Sequence, residues 1–314
     1  MRIVLCGSPP FATPVFERLL GSRHRPLALV TAPDRPQGRG RTVEPSELVR
    51  AARAAQVEVL QPADPHAEEH LAQLSRLRPD VLLVASYVVI LKAREIDLAP
   101  QGALNVHASL LPRWRGASPI QAAILAGDAV TGVSIQRIVK ALDEGDVLLS
   151  KERAIGSDET AGDLLRALAQ LGGEAALEAL DLIESGRAHF TPQDSTQATY
   201  ARKLTKEQGT LDWSKSADEL ARFVRAMNPW PGASTSDAKG RGLTVLVARA
   251  LDRRVAAEPG VVLETQDRFV VACGRGALDV VNLVPAGKRA MGGADFVRGA
   301  RTAVGERLGA ENSV

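Results

Sequence analysis

The sequence predicts an α/β protein with a mostly parallel, doubly wound, Rossmann-like sheet, followed by a small β-barrel domain. Over the first 150 residues, short apolar strands alternate with helical stretches, a pattern that favours a parallel sheet covered on both faces. Polar side chains follow where one of these strands leaves the apolar core, and open α/β sheets build their sites at such strand ends. After residue 206 the pattern changes to short strands at turn-spaced intervals, which is typical of a small barrel or sandwich.

The first domain is expected over residues 1–189. Its predicted strands share short apolar runs and are Ile3–Leu5, Leu27–Thr31, Val57–Leu60, Val81–Ala85, Ala103–His107, Gly132–Ile138 and Val147–Ile155. Its predicted helices are Phe11–Leu20, Ser46–Ala55, Pro65–Leu77, Pro119–Ala126 and Glu159–Glu184. Ser118 before Pro119 is a good N-cap with a first-turn proline, and Gly127 is a suitable helix end.

A polar, turn-rich linker is expected over residues 190–205, and a second domain over residues 206–314. This domain opens with a helix that carries Leu220, Val224 and Met227 on one face and ends at a proline-rich breaker. The strands predicted after it are Leu243–Ala248, Gly260–Glu264, Arg268–Ala272 and Ala277–Leu283, with a final helix over Ala294–Leu308.

Composition sets the broad class. An apolar content of 45% and a charged content of 24% are ordinary for a soluble globular protein, and a net charge of +2 does not by itself indicate a nucleic-acid binder. The longest apolar run, Val81–Leu91, is too short to span a membrane. Two cysteines, Cys6 and Cys273, cannot form a disulfide framework and indicate a reducing compartment. With no signal peptide before the first strand, we expect a cytoplasmic protein, and a monomer because no long exposed apolar face is evident.

The segment from Asn105 to Ile120 concentrates polar chemistry where a strand leaves the core. Because side chains alternate along a strand, Asn105, His107 and Ser109 point the same way. Taken alone, Asn105 and His107 are also explained as a buried polar pair satisfied by neighbouring backbone.

A third group favours chemistry over that simpler explanation. Asp143 lies in a turn between two apolar strands, although an acid–glycine turn alone is a common hairpin feature. Together with Asn105 and His107, it offers two donors and a carboxylate on neighbouring strand ends. This set suits an amine attacking a carbonyl, because one well-placed donor to the oxyanion is worth about 3 kcal/mol. The carboxylate would orient the imidazole and help to take up the amine proton.

Other polar features leave alternatives open. The loop Arg35–Arg41 is either a solvated surface loop or a basic segment that orders on nucleic acid. Trp114 either stacks on a flat ligand ring or covers the sheet edge. Gly7 serves a phosphate, another ligand or only the turn. Lys288 adds positive charge to the second domain.

We expect no metal site. The histidines lack ligand partners at usable spacing, and the two cysteines are far apart in the chain. His66 and His70 are four residues apart, and we expect both on a solvated helix surface.

The chain resembles the methionyl-tRNA formyltransferase family along nearly its whole length. The likeness is carried by the motif from Asn105 to Ile120, which is very specific to folate-dependent formyltransferases, and by the turn from Leu142 to Asp146, the family's second signature. The family's catalytic trio then falls on Asn105, His107 and Asp143. The stretch that holds the folate falls on Ser109, Leu110, Leu111 and Pro112.

The resemblance implies 10-formyltetrahydrofolate as the formyl donor and the amino group of initiator Met-tRNA as the acceptor. It also implies that the basic loop is the family's insertion loop on the acceptor arm, with Arg39 as its key arginine and Arg41 beside it. The second domain, where Lys288 lies, is similar to the family's oligonucleotide-binding-like barrel.

Two departures from the family pattern concern the folate pocket. Pro10 occupies a position that is usually an aspartate, and Val88 replaces a glycine in a stretch that borders the pocket. A glycine can take φ > 0, which a β-branched residue strongly disfavours, so the resemblance implies a different local backbone or pocket shape here.

Two alternatives share parts of this pattern. An amino-sugar nucleotide formyltransferase or a formyl-folate hydrolase would use the same donor and trio, and the basic Arg35–Arg41 loop argues against both. A non-catalytic RNA-binding protein on a decayed scaffold is disfavoured by the intact Asn105, His107 and Asp143 set.

Overall fold

The computed structural model describes residues 1–34, 36–37 and 42–309. The chain forms two compact units. The first contains Met1–Pro119, Val130–Ala154 and Leu164–Ala201, and the second contains Ile120–Ala129, Ile155–Asp163 and the chain from Arg202 onward. Both units are therefore assembled from separate stretches of the sequence.

A seven-stranded sheet, among the described residues, forms the core of the first unit. Its strands are β1 (Ile3–Gly7), β2 (Pro26–Val30), β5 (Glu58–Leu60), β6 (Val81–Ala85), β7 (Ala103–His107), β9 (Val130–Arg137) and β10 (Val147–Ala154). They lie in the order β10-β9-β7-β6-β1-β2-β5. The five strands β7, β6, β1, β2 and β5 are parallel, and β9 is antiparallel to both of its neighbours, β7 and β10. The mostly parallel sheet predicted from the sequence is thus confirmed. Its central strands β1 and β6 are buried along their whole length, as their unbroken apolar runs require.

Helices and short strands complete the first unit. The helices are α1 (Ala12–Leu20), α2 (Glu47–Ala54), α3 (Glu68–Leu77), α4 (Ala93–Ile96), α5 (Pro119–Ala126) and α6 (Ala161–Glu184), the last two belonging in part to the second unit. The short strands pair as β3 (Pro36–Gln37) with β4 (Thr42–Val43), and as β8 (Arg115–Gly116) with β11 (Tyr200–Ala201). Within the described residues, no helix combines the length and apolar character that a membrane crossing needs.

Helix α6 lies close to β7 because it carries a glycine at the contact. A Cβ at Gly172 would stand 2.9 Å from Val106 and 3.5 Å from the Phe11 ring. Any larger residue there would push the helix away from the strand that carries Asn105 and His107.

The second unit is built around an antiparallel sheet and includes most of α5. In the described part of its C-terminal stretch, the strands are β12 (Ala233–Ser236), β13 (Gly242–Leu251), β14 (Val262–Glu264), β15 (Val270–Ala272), β16 (Ala277–Pro285) and β17 (Met291–Gly292), and the helices are α7 (Ala217–Met227) and α8 (Gly293–Ala300). The predicted final helix is wrong in its second half, because α8 ends at Ala300 and the next residue, Arg301, has a left-handed φ of 57°.

Candidate active site

Strand β7 places Asn105 and His107 at the carboxyl end of the sheet. The two side chains are two residues apart and therefore share one side of the strand. On the antiparallel neighbour β9, Asn105 lies opposite Gln136 and His107 opposite Ser134. The site is thus built where the parallel half of the sheet meets its antiparallel half.

Asp143 lies within reach of both β7 side chains. Its Oδ1 accepts hydrogen bonds from Asn105 Nδ2 at 3.4 Å and from Gln136 Nε2 at 2.9 Å, and it stands 3.7 Å from His107 Nδ1. Its Oδ2 accepts from the Gly116 amide at 2.8 Å. The structure therefore brings together the three residues that the sequence had singled out from two separate segments.

The backbone of the turn makes this placement possible. Asp143 has a φ of 54°, in the left-handed region that aspartate tolerates better than most residues do. Gly145 has an ordinary φ but no room for a side chain, because a Cβ there would stand 1.9 Å from the Arg137 carbonyl oxygen. Asp143 thus supplies the left-handed backbone of the turn, and Gly145 allows the turn to pack closely against Arg137.

The His107 ring is oriented by main chain as well as by Asp143. Its Nε2 lies 3.0 Å from the carbonyl oxygen of Trp114, and a carbonyl only accepts, so Nε2 carries the hydrogen. Nδ1 is consequently the nitrogen that faces Asp143, at a distance longer than a direct hydrogen bond. The sequence did not predict this role for the Trp114 backbone.

Three supporting side chains were also missed. Gln136 is 1% exposed and Arg115 is 2% exposed, so both are polar groups buried behind Asp143. Gln193, from the expected linker, contacts both of them. Strand β9 also carries Thr131, Ser134 and Arg137, so its sequence does not single out Gln136, and nothing local in the sequence marks Gln193.

The stretch expected to hold the folate is fixed by its own hydrogen bonds. Ser109 is fully buried, and its hydroxyl donates to the Arg113 carbonyl at 2.6 Å. The amide of Leu111 donates to the Ser134 hydroxyl, and the Pro112 carbonyl accepts from Thr199. The Ser109 hydroxyl therefore shapes the loop, and the partly exposed side chains of Leu110, Leu111 and Pro112 remain available to a ligand.

The segment Tyr87–Leu91, which follows β6, presents apolar side chains to solvent. Val88 is 74% exposed and Ile90 is 80% exposed, while Tyr87 and Leu91 pack on the core beneath the sheet. The left-handed residue here is Ser86, with a φ of 51°, and Val88 is absent from the positive-φ residues of the described chain. The valine thus changes the surface beside the site without requiring a disfavoured φ.

Buried groups near this segment stay protonated. Burial raises the pKa of the Cys6 thiol to about 12, and it raises the pKa of the Tyr87 hydroxyl, with smaller contributions from Cys6 and Glu95. The Cys6 thiol therefore lacks the thiolate character that a nucleophile needs. The next residue, Gly7 at the end of β1, allows close packing, since a Cβ there would stand 2.6 Å from that of Ala12.

The histidines expected at the surface are better buried than predicted. His70 is 4% exposed, and burial lowers its pKa. His66 lies 2.8 Å from the buried carboxylate of Glu95. The prediction of a solvated side chain was wrong for His70, which lies on the buried face of α3, whereas His66 precedes that helix and is 25% exposed.

One group of possible metal ligands occurs in the described part of the chain. The ligand atoms of His24, Asp181 and Glu184 lie within 4.8 Å of one another, so His24 does have carboxylate partners that the sequence spacing concealed. The Arg23 guanidinium lies 2.5 Å from Asp181 and 3.2 Å from Glu184, and a cation therefore already faces both carboxylates.

The residues expected to contact tRNA are placed only in part. Lys288 lies in the exposed turn between β16 and β17, beside Gly287. Arg39 and Arg41 lie outside the described residues.

The chain matches known protein families over most of its length. Residues 1–180 match the model of the formyl transferase family, and residues 203–301 match that of the formyl transferase C-terminal domain. The chain is 44% identical over 309 residues to the methionyl-tRNA formyltransferase of Methylococcus capsulatus, with 98% of this chain and all of that protein covered. The chain belongs to the methionyl-tRNA formyltransferase family.

A second relative agrees with this assignment, and a solved structure shares the fold. The methionyl-tRNA formyltransferase of Marinobacter nauticus is 41% identical over 302 residues, covering 96% of this chain and 97% of that one. An N-formyltransferase from Helicobacter canadensis, solved with folinic acid and dTDP-3-aminofucose, shares the fold with a TM-score of 0.67 at 15% identity, covering 89% of this chain and 98% of that chain. The family and fold class predicted from the sequence are therefore confirmed, whereas the residue roles of a methionyl-tRNA formyltransferase stay predictions.

Proposed function

We propose that this protein transfers the formyl group of 10-formyltetrahydrofolate to the amino group of initiator Met-tRNA, with Asn105, His107 and Asp143 as its catalytic residues. The observation that carries this proposal is the convergence of the three side chains on one strand end, with Asp143 Oδ1 3.4 Å from Asn105 Nδ2 and 3.7 Å from His107 Nδ1. Full-length relatives named for this activity support the reaction class.

The reaction needs charge stabilisation and one proton transfer. The amine nitrogen bonds to the formyl carbon and loses a proton, while the carbonyl becomes an oxyanion. The oxyanion then re-forms the carbonyl as the bond from carbon to N10 of the folate breaks, and N10 gains the proton that the amine released. Asn105 Nδ2 has two hydrogens, of which one is directed at Asp143, so the other can donate to the oxyanion. One such donor accelerates an acyl transfer by about 10²–10³-fold.

His107 and Asp143 supply the proton chemistry. Because the His107 Nε2 is hydrogen-bonded to the Trp114 carbonyl, Nδ1, which faces Asp143, is the ring nitrogen left for the reaction. Asp143 orients this ring and takes up the amine proton, directly or through one water. Gln136 and Gly116 hold the carboxylate while it does so.

The donor is held beside these groups by two segments. Leu110, Leu111 and Pro112 form one side, on a loop that its backbone hydrogen bonds make rigid. The apolar segment Tyr87–Leu91 forms the other side and offers Val88 and Ile90 to the flat rings of a folate. The folinic acid bound to the Helicobacter canadensis neighbour supports a ligand of this class.

The tRNA is held by positive charge. We assign this role to Arg39 and Arg41 in the basic loop and to Lys288 in the second unit, with arginine suited to phosphate through its planar fork. We keep the domain limits 1–189, 190–205 and 206–314, a cytoplasmic location and a monomeric state as parts of the same proposal.

The decisive experiment compares acceptors. The purified protein is given 10-formyltetrahydrofolate with Met-tRNA, with a nucleotide-linked amino sugar or with water alone, and the formylated products are measured. We expect product from Met-tRNA only, with kcat/KM falling steeply between about 50 and 200 mM salt as counterion release is lost. Formylation of the sugar, or release of folate without an acceptor, would support one of the two alternative enzymes instead.

A further inference from the structure

Residues 191–201 lie against the candidate active site rather than apart from it. Thr191 pairs with Val147 at the start of β10, and Tyr200 and Ala201 pair with Arg115 and Gly116. Between these two attachments, the neighbours of Gln193 in sequence are exposed while Gln193 itself is half-buried. The segment thus brings one glutamine to the back of the Asp143 turn.

The amide of Gln193 is engaged at both ends. Its Nε2 donates to the carbonyls of Asp143 at 2.8 Å and Gly145 at 2.7 Å, with a longer contact of 3.3 Å to Gln136 Oε1. Its Oε1 accepts two hydrogen bonds from Arg115, at 2.9 and 3.0 Å. One side chain therefore joins β9, the turn and β8.

Residues that Gln193 contacts, or their direct neighbours in sequence, donate hydrogen bonds to both oxygens of the Asp143 carboxylate. Gln136, which Gln193 contacts, donates to Oδ1, and Gly116, which follows Arg115 in β8, donates to Oδ2. Arg115 also lies 3.1 Å from Glu144, so the residue after Asp143 is held as well. The left-handed Asp143 backbone is thus fixed from three directions, as a sparsely populated conformation requires.

We propose that Gln193 is a positioning residue that holds the Asp143 turn, and with it the Asp143 carboxylate, in the geometry needed for formyl transfer. This inference rests on the proposed function. Gln193 acts through the turn rather than on a substrate, because Asp143 must stay within reach of Asn105 and His107. A displacement of about 1 Å in such a group costs on the order of 10²-fold in rate.

The test replaces Gln193 by glutamate. Gln193→Glu keeps the size of the side chain and an oxygen for Arg115, but it removes both hydrogens that bond to the Asp143 and Gly145 carbonyls. The matched control is Gln197→Glu, the same change in the same segment, at an exposed residue whose Nε2 donates to Asp194. Formylation of Met-tRNA gives kcat and both KM values, and hydrogen exchange of the Gly116 amide reports the position of the carboxylate without using activity.

For Gln193→Glu we expect kcat to fall by about 10–100-fold, both KM values to stay within threefold and the Gly116 amide to exchange faster. Gln197→Glu should match the wild type in all of these. Unchanged kcat, unchanged Gly116 exchange, or a kcat loss shared by the control would each overturn the proposal. If the wild type does not formylate Met-tRNA, the proposed function fails, and the exchange of Gly116 alone then decides whether Gln193 holds the turn.

Discussion

The two segments that flank β7 at its carboxyl end are built in opposite ways. The turn after β9 carries Asp143, which accepts hydrogen bonds from three groups and is supported by a buried arginine and glutamine. The segment after β6 leaves Val88 and Ile90 largely exposed and is attached to the core through Tyr87 and Leu91. Hydrogen bonds thus fix the position of a reacting group on one side of the strand, while the other side offers apolar surface to a ligand.

The largest effect should follow from removing the charge of the turn. Asp143→Asn should lower kcat by about 10²–10⁴-fold, because the amide cannot take up the amine proton. The fold should persist, since asparagine also tolerates a positive φ. Steady-state formylation and the melting temperature measure the two effects.

The control for this variant is Asp97→Asn, the same change at an exposed residue after α4. It should leave both quantities unchanged. Near-normal turnover by Asp143→Asn would reject the catalytic role of the carboxylate.

A smaller effect should follow from crowding the same turn. Gly145→Ala places a Cβ against the Arg137 carbonyl oxygen and should destabilise the first unit by about 1–3 kcal/mol, as overpacking usually does. Gly21→Ala adds the same methyl where no heavy atom lies within 4 Å. Thermal unfolding should show a clearly lower melting temperature for Gly145→Ala alone, and equal values would mean that the turn adapts freely.

The smallest effect is expected on the apolar side. Val88→Gly removes an exposed side chain, so we expect kcat to stay unchanged while the KM for the folate donor rises a few-fold through lost apolar contact. Val304→Gly, at another exposed valine in the second unit, is the control. A fall in kcat with no change in the donor KM for Val88→Gly would contradict the assignment of this segment to folate binding.

Sequence patterns predicted the parts of this structure that depend on local periodicity. Strands β6 and β7 and helix α5 have the predicted bounds, because their apolar runs end at polar or glycine residues. Asn105 and His107 share a face because side chains alternate along a strand.

Features that depend on distant contacts could not be predicted in this way. Gln193 meets Asp143 from 50 residues away, and no local pattern marks it. His70 lies in a polar run of sequence yet is buried through the packing of α3. The left-handed residue beside the site is Ser86 rather than Val88, which the residue types alone do not indicate.

The most direct test of the account is the rate of a single turnover with donor and Met-tRNA already bound. Asn105→Ala removes one donor to the oxyanion and leaves the proton acceptor in place. The account predicts that the rate of formyl transfer falls by about 10²–10³-fold while the affinity for the donor is unchanged. A normal transfer rate with weakened donor binding would contradict it, because Asn105 would then serve to hold the folate and not the transition state.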